Sequence, residues 1–288
     1  MGLSSYVPWW AKLGIKLGLA RLPVPYALWK RIGLFRHGEM MVPNRAISAF
    51  ESHFQSAVQH GQIPAKFRSL ELGPGDSVLS GFVARAFGAE KAWLADAGPF
   101  AETDIAGCRT LLELLASRGR TVAPLKSATL SDAMQEYDVV YLTEGTSSLK
   151  TIPDQSIDFA WSQVVLEHIY RDEFPTLMKE LRRVVALNGI GVHSIDFRDH
   201  LGGGLNNLRF GDEVWETQAF RTSGFYTNRI RPREMIDMMK AAGFSVEVIS
   251  EQRWPELPLA RDRMAPQFRP LADEDFMVCE IRVIMRPV

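Results

Sequence analysis

Ser69-Leu70-Glu71-Leu72-Gly73-Pro74-Gly75-Asp76-Ser77-Val78 is the stretch on which the fold turns. An apolar run, Ser69–Leu72, reads as a short strand. A tight turn with two glycines follows. Val78, Leu79, Phe82, Val83, Ala86 and Phe87 then recur on one face at helical spacing, and Gly88 stops the helix. Strand, glycine turn and helix in that order begin a βαβ unit. Glycine lets backbone approach a ligand closely, and a helix N-terminus offers unpaired N–H donors.

Outward from this stretch, strand-like runs recur at Ala92–Ala95, Val139–Leu142, Ile157–Ser162, Ile190–Ile195, Val246–Ser250 and Met277–Met285. The last alternates in character and reads as an edge or antiparallel strand. A second helix is expected from Phe174 through Val185, with Asn188-Gly189 as its stop. A third opens at Pro232 and ends at Gly243. The fold class is therefore α/β: a Rossmann-like, seven-stranded, mostly parallel sheet with helices on both faces. A helical N-terminal extension is expected over residues 1–64, before a domain spanning 65–288.

Composition sets outer limits. At 288 residues and 46% hydrophobic, with 23% charged, the chain is long and apolar enough for a sizeable core. Disordered, collagen-like and disulfide-scaffold classes are excluded. Cys108 and Cys279 are the only cysteines and suggest no metal cluster. The net charge of −1 is distributed unevenly. Residues 1–48 carry Lys12, Lys16, Arg21, Lys30, Arg31, Arg36 and Arg45 against Glu39 alone, a charge of +6. Nucleic acid is not an expected partner of the whole chain. No run reaches the ~18 apolar residues of a membrane span. A cleaved signal peptide is not expected either, because lysines interrupt the early apolar run. The cytoplasm is the expected location. Trp9, Trp10, Leu13, Leu17 and Ala20 share an arc flanked by Lys12 and Lys16. The lead-in reads either as a lid on the domain or as a helix in peripheral contact with the membrane surface.

The ligand of the glycine turn is constrained by what surrounds it. A dinucleotide fingerprint has a third glycine where this chain has Val78. Glu71 before the first glycine would repel a pyrophosphate and suits a positively charged ligand. Asp96 ends the second strand, where a carboxylate can accept two ribose hydroxyls. A third block, Pro153-Asp154-Gln155-Ser156-Ile157-Asp158-Phe159-Ala160-Trp161-Ser162-Gln163-Val164-Val165-Leu166-Glu167-His168, completes the pattern. In the order and spacing of these three blocks the chain resembles the class I S-adenosylmethionine-dependent methyltransferases, in their small-molecule branch. It more loosely resembles methyltransferases linked with cell-surface glycan assembly.

The resemblance implies S-adenosyl-L-methionine as cofactor. It implies that Glu71, Gly73, Pro74 and Gly75 face the methionine portion and that Asp96 holds the ribose. Ser148 and Leu149, within Thr146–Leu149, would flank the adenine, and Gln163 would lie beside the amino-acid moiety. Asp76 either caps the following helix or hydrogen-bonds the cofactor's amino group. A NAD-dependent oxidoreductase and a non-catalytic cofactor-binding scaffold docked through residues 1–48 are the alternatives.

For chemistry on an acceptor, the candidate bases are His168, Asp196 and His200, each just beyond a strand end. His168 could instead fasten the start of a helix. His193 lies within a strand and reads as a packed residue, and His37, His53 and His60 receive no role. The segment 199–231 reads as a substrate-facing insertion. In it Asn206, Asn207, Arg209 and Tyr226 combine amides, a cation and an aromatic ring. Such a set suits a hydroxyl-bearing small molecule or glycan as acceptor. The sequence leaves open the acceptor's identity, the choice between O- and N-methylation, and the oligomeric state.

Overall fold

The computed structural model describes residues 8–20 and 40–288. Residues 1–7 and 21–39, much of the basic lead-in, lie outside the described residues. The helices, numbered in order of description, are α1 (Trp9–Ala20), α2 (Pro43–His60), α3 (Leu79–Ala86), α4 (Ile105–Ser117), α5 (Leu130–Glu136), α6 (Phe174–Val184), α7 (Asp212–Trp215), α8 (Gln218–Arg221), α9 (Pro232–Ala241) and α10 (Asp273–Met277). The strands are β1 (Phe67–Leu72), β2 (Ala89–Ala95), β3 (Val139–Leu142), β4 (Ile157–Gln163), β5 (Val185–Asp196), β6 (Phe244–Arg253) and β7 (Val278–Pro287). They form one sheet in the order β3-β2-β1-β4-β5-β7-β6. The pairs β1–β2, β1–β4, β2–β3 and β4–β5 are parallel, while β7 runs antiparallel to both β5 and β6. The α/β expectation is met.

Two apolar layers sandwich the sheet. On one face Phe50 of α2, Phe82 of α3 and Leu111 of α4 pack with Phe159 and Trp161 of β4. On the other, Phe174, Met178 and Leu181 of α6 and Met235 of α9 pack with Ile157 and Ala160. Burial on both faces shows in β1, β2 and β4, each of which has four consecutive buried residues. Helix α2 is not an appendage: Phe50 meets Phe159 at 5.9 Å and Trp161 at 5.7 Å between ring centroids, both edge-on.

Several boundaries differ from the sequence reading. Helix α6 ends at Val184, and Val185 is already strand, paired with Ile157. Gly189 therefore stops no helix. It lies in β5, where a Cβ would sit 2.7 Å from the Ile157 carbonyl oxygen. Strand β6 begins two residues before the apolar run Val246–Ser250 and ends three beyond it, because its mostly exposed residues Glu247 to Arg253 follow no strict alternation. Phe276 and Met277 belong to α10, so β7 opens at Val278. The stretch between β6 and β7 was not foreseen as structured. Its Leu259, Met264, Phe268 and Phe276 bury against Leu205 and Leu208, making a small second core beside the sheet.

Candidate active site

The sheet order reverses between β1 and β4, and ligands in open α/β sheets bind in the crevice outside such a point. Loops after β1, β2 and β4 meet there. Gly73 and Gly75 have φ of +67° and +69°, the left-handed region that glycine enters without penalty. A Cβ on Gly73 would lie 2.6 Å from Val165, so the turn after β1 rests directly on the loop after β4.

Asp96 ties the second loop to the first. Its Oδ2 accepts from the Gly75 N–H at 2.8 Å and its Oδ1 from the Ala97 N–H at 2.7 Å. Its own backbone N–H donates to Leu142 and its carbonyl accepts from Gly145, at 2.8 Å each. Burial raises its pKa above the usual aspartate value, and the two N–H donors oppose that rise. A carboxylate with two donors keeps lone pairs for two more. Asp96 and the glycine turn therefore fit a ribose-bearing ligand.

Other predicted cofactor residues stand differently. Glu71 is buried, and its carboxyl accepts from the Ser80 hydroxyl in the first turn of α3. It braces the glycine turn from beneath and does not face an open crevice. Burial pushes its pKa up to about 8 despite that bond, with Asp96 adding to the rise. Asp76 is buried but does not cap α3. The Leu79 N–H goes to Ser77 Oγ at 3.1 Å and the Val78 N–H to Thr103 Oγ1 at 3.0 Å. Pro74 is buried in the turn. Ser148 takes the Glu144 N–H at 2.9 Å, and Leu149 has no exposed surface. Both support the crevice wall from behind. Gln163 is exposed at the end of β4.

Beyond Gln163, Val164 sits at φ +57°, an outlier for a β-branched residue. Its N–H donates to Ser194 at 2.9 Å. Backbone strain of this kind collects at functional sites. The loop it opens carries Glu167 and His168.

The structure brings His168 and His200 together. Their Nε2 atoms are 3.3 Å apart and the rings stack with centroids at 4.9 Å. His168 Nδ1 lies 3.0 Å from the Tyr226 carbonyl oxygen. A carbonyl only accepts, so Nδ1 carries the proton. In the neutral pair His168 Nε2 is then the acceptor and His200 Nε2 the donor. Asp196 does not join them. Its oxygens accept from the Arg198 N–H at 2.9 Å and the Arg198 guanidinium at 3.1 Å, which also reaches Glu280 at 3.2 Å. Its carboxylate is engaged by Arg198 and is not placed with the histidine pair.

The predicted acceptor residues are largely spent on the insertion itself. Asn207 is buried and donates to Thr227 Oγ1 at 2.9 Å. Tyr226 is buried in an aromatic cluster with Trp215 and Phe225, and its hydroxyl donates to Glu216 at 2.8 Å. Asn206 accepts from Arg209 at 3.0 Å, and Arg209 lies over the Trp9 ring at 4.9 Å. Asp199 organises the glycine loop, accepting from the Leu201 N–H at 2.8 Å and the Gly202 N–H at 2.7 Å. Glycine-rich composition and amides here signal loop architecture as much as contact with a ligand.

Sequence reasoning missed Glu167. It is 2% exposed, and no side chain hydrogen-bonds its carboxyl oxygens. Nothing in Val-Leu-Glu-His announces burial of that glutamate, since glutamate is ordinarily exposed. A cavity of about 650 Å³ lies elsewhere, lined by Arg171, Arg229, Arg231, Asp212 and Asp275. Its arginines are largely occupied by carboxylates and carbonyls.

Among the described residues no helix is long and apolar enough to cross a membrane, and no group of three or more His, Cys, Asp or Glu could hold a metal ion. Residues 104–192 match the family described as a methyltransferase domain. No curated protein matches the chain. Similar solved structures include a SAM-dependent methyltransferase from Methanosarcina mazei, 13% identical with TM-score 0.48, over 80% of this chain and 97% of that one. Another from Mesorhizobium loti is 16% identical with TM-score 0.43, over 84% and 96%. A Haemonchus contortus phosphoethanolamine N-methyltransferase, in complex with phosphomonomethylethanolamine and S-adenosylhomocysteine, is 13% identical with TM-score 0.46, over 84% and 53%. Residues 104–192 are thus similar to a methyltransferase domain, and the seven-stranded sheet that carries them has one strand, β7, antiparallel to its neighbours.

Proposed function

We propose that the protein is an enzyme that transfers the methyl group of S-adenosylmethionine to a hydroxyl of a small-molecule or glycan-type acceptor. The observation that carries this reading is the bond from the Gly75 N–H to Asp96 at the reversal point of the sheet, with the His168–His200 pair beyond the neighbouring strand ends. Asp96 and the Gly73–Gly75 backbone would hold the cofactor, which supplies a methyl group on a good leaving group. Most of the rate then comes from holding the acceptor oxygen in line. His168, fixed by the Tyr226 carbonyl, orients His200 to accept the acceptor's proton. The Asp96 carboxylate beside the glycine turn suits a cationic cofactor better than a pyrophosphate.

Calorimetric titration with S-adenosylmethionine and with NAD tests the cofactor. Transfer of labelled methyl into fractionated cell extract, followed by identification of the labelled molecule, tests the acceptor. Failure to bind S-adenosylmethionine would remove the reading. The lead-in is proposed to act as a lid, because Trp9 packs edge-on to Phe210 at 6.2 Å. Trp10 beside it is exposed, which favours a peripheral membrane contact as the second reading. Flotation with anionic vesicles separates the two.

A further inference from the structure

The Nε2 atoms of His168 and His200 stand 3.3 Å apart. Zinc binds imidazole nitrogen at about 2.0–2.1 Å, so two nitrogens on one tetrahedral ion are about 3.3–3.4 Å apart. The pair already has the spacing of two ligands on one ion. The first ring is held from behind. Its Nδ1–H donates to the Tyr226 carbonyl at 3.0 Å, which leaves Nε2 as the lone-pair nitrogen. A backbone carbonyl on the far nitrogen is a common support of a histidine that ligates a metal. The His168 N–H also donates to the Val165 carbonyl at 2.9 Å. His200 sits in a loop that the Asp199 carboxylate folds, accepting from the N–H groups of Leu201, Gly202 and Gly203 at 2.8, 2.7 and 3.1 Å. Two loops distant in sequence thus bring their nitrogens together before any ion orders them. Among the described residues no third carboxylate, thiolate or imidazole completes a metal-holding group. Two protein ligands leave an ion exchangeable, with its other positions open.

We propose that His168 and His200 together bind a divalent transition-metal ion, Zn²⁺, Ni²⁺ or Cu²⁺, as an exchangeable two-nitrogen site whose remaining positions are filled by water. Imidazole suits these ions, while Mg²⁺ and Ca²⁺ take oxygen ligands, so the site selects by ligand type. Without the ion, His200 donates its Nε2–H to His168. With it, the His200 proton passes through solvent from Nε2 to Nδ1. Both rings stay neutral, each Nε2 lone pair forms a bond to the ion, and no proton is gained or lost overall. The site goes beyond the methyltransferase reading and stands without it. One consequence rests on that reading. With its proton on Nδ1, His200 has no lone pair left for the acceptor's proton, so the bound ion switches the base off.

The test is calorimetric titration of the full chain with Zn²⁺ and with Mg²⁺, without cofactor. We expect one Zn²⁺ to bind and a chelator to remove it, and Mg²⁺ to give no binding heat. The ring NMR signals of two of the six histidines should shift as Zn²⁺ is added. His168→Ala and His200→Ala should each weaken binding by at least ~10-fold, since loss of a group that only orients a ligand already costs about that much. His60→Ala, on α2, should leave the affinity unchanged. Absence of Zn²⁺ binding overturns the proposal, and so does affinity that survives in both variants or falls as far in His60→Ala as in His200→Ala. If His168→Ala does not fold, His200→Ala decides: a ~10-fold loss with the NMR shift abolished supports the site, and retained affinity overturns it. The titration uses neither cofactor nor acceptor. Its failure therefore leaves the methyltransferase reading standing, and a failure to bind S-adenosylmethionine leaves the metal site standing.

Discussion

Asp96 is held by four backbone bonds, two through its carboxylate and two through its own amide and carbonyl. Asp96→Ala leaves the latter two in place, so the strand end should keep its course. It removes a charged acceptor from the crevice, and S-adenosylmethionine affinity should fall by about 1.5–3 kcal/mol. Calorimetry checks this; unchanged affinity takes Asp96 out of the site. The histidines divide labour in a way that kinetics can read. His200→Ala should lower turnover on the order of 10²–10⁴-fold with cofactor affinity untouched, the size expected for a lost general base. His168→Ala should cut turnover less and broaden the pH profile, since it frees the His200 ring without removing it. Equal and small losses in both would return the role of base to Asp196, despite its ion pair with Arg198.

At the scale of elements, the glycine turn after β1 works because it is thin. Gly73→Ala puts a Cβ into Val165 and into a left-handed backbone that costs roughly 1–2 kcal/mol for an L residue. The melting temperature should drop, and cofactor affinity should drop with it. A Gly73→Ala, Val165→Ala double variant should recover part of the stability but none of the backbone strain. Much of this element was readable beforehand. The apolar run, the paired glycines and the helical spacing after Val78 are local features, and local features survive translation into structure. The β4 block and Asp96 were readable for the same reason. What was not readable depends on contacts distant in sequence. Val185–Gly189 reads as a helix end, yet pairing with β4 recruits it into β5. Asn207 and Tyr226 read as ligand contacts, yet Thr227 and Glu216 claim their polar atoms. The burial of Glu167 and the meeting of His168 with His200 come from folding the 199–231 insertion over the β4 loop, and no spacing encodes that.

Across the whole molecule, buried titratable groups of opposite kinds set the pH response. His53 and His193 are buried neutral, their pKa values lowered by burial to about 4 and about 3 from an ordinary 6.5. The unfolded chain takes up their protons first, so their contribution is complete above pH 6.5 and lost as pH falls toward 4 and below. Glu71, raised to about 8 from 4.5, behaves in the opposite sense. The unfolded chain loses that proton first, so its contribution is complete below pH 4.5 and lost as pH rises toward 8. Glu167, which burial holds well above the usual glutamate pKa, acts in the same sense as Glu71, so between 4.5 and 6.5 the two trends oppose each other. The ligand-free protein should therefore be most stable in that window and melt earlier on both sides, with slopes of about 1.4 kcal/mol per pH unit for each titrating group. Denaturant unfolding at a series of pH values checks this. A stability that climbs steadily from pH 6.5 to 8 would contradict the assignment of Glu71 as a buried neutral acid.

The antiparallel β7 lies between β5 and β6. Strand β6 joins the sheet through β7 alone, although β6 comes earlier in the chain. During synthesis, β6 leaves the ribosome with no edge to join, and β5 waits with an open edge of its own. Both are answered at once when β7 emerges. Until then the nascent chain carries two unpaired strand edges, the kind of surface on which aggregation starts. The half of the sheet that bears the glycine turn and Asp96 can pair earlier, since β1 to β4 need nothing made later than β4.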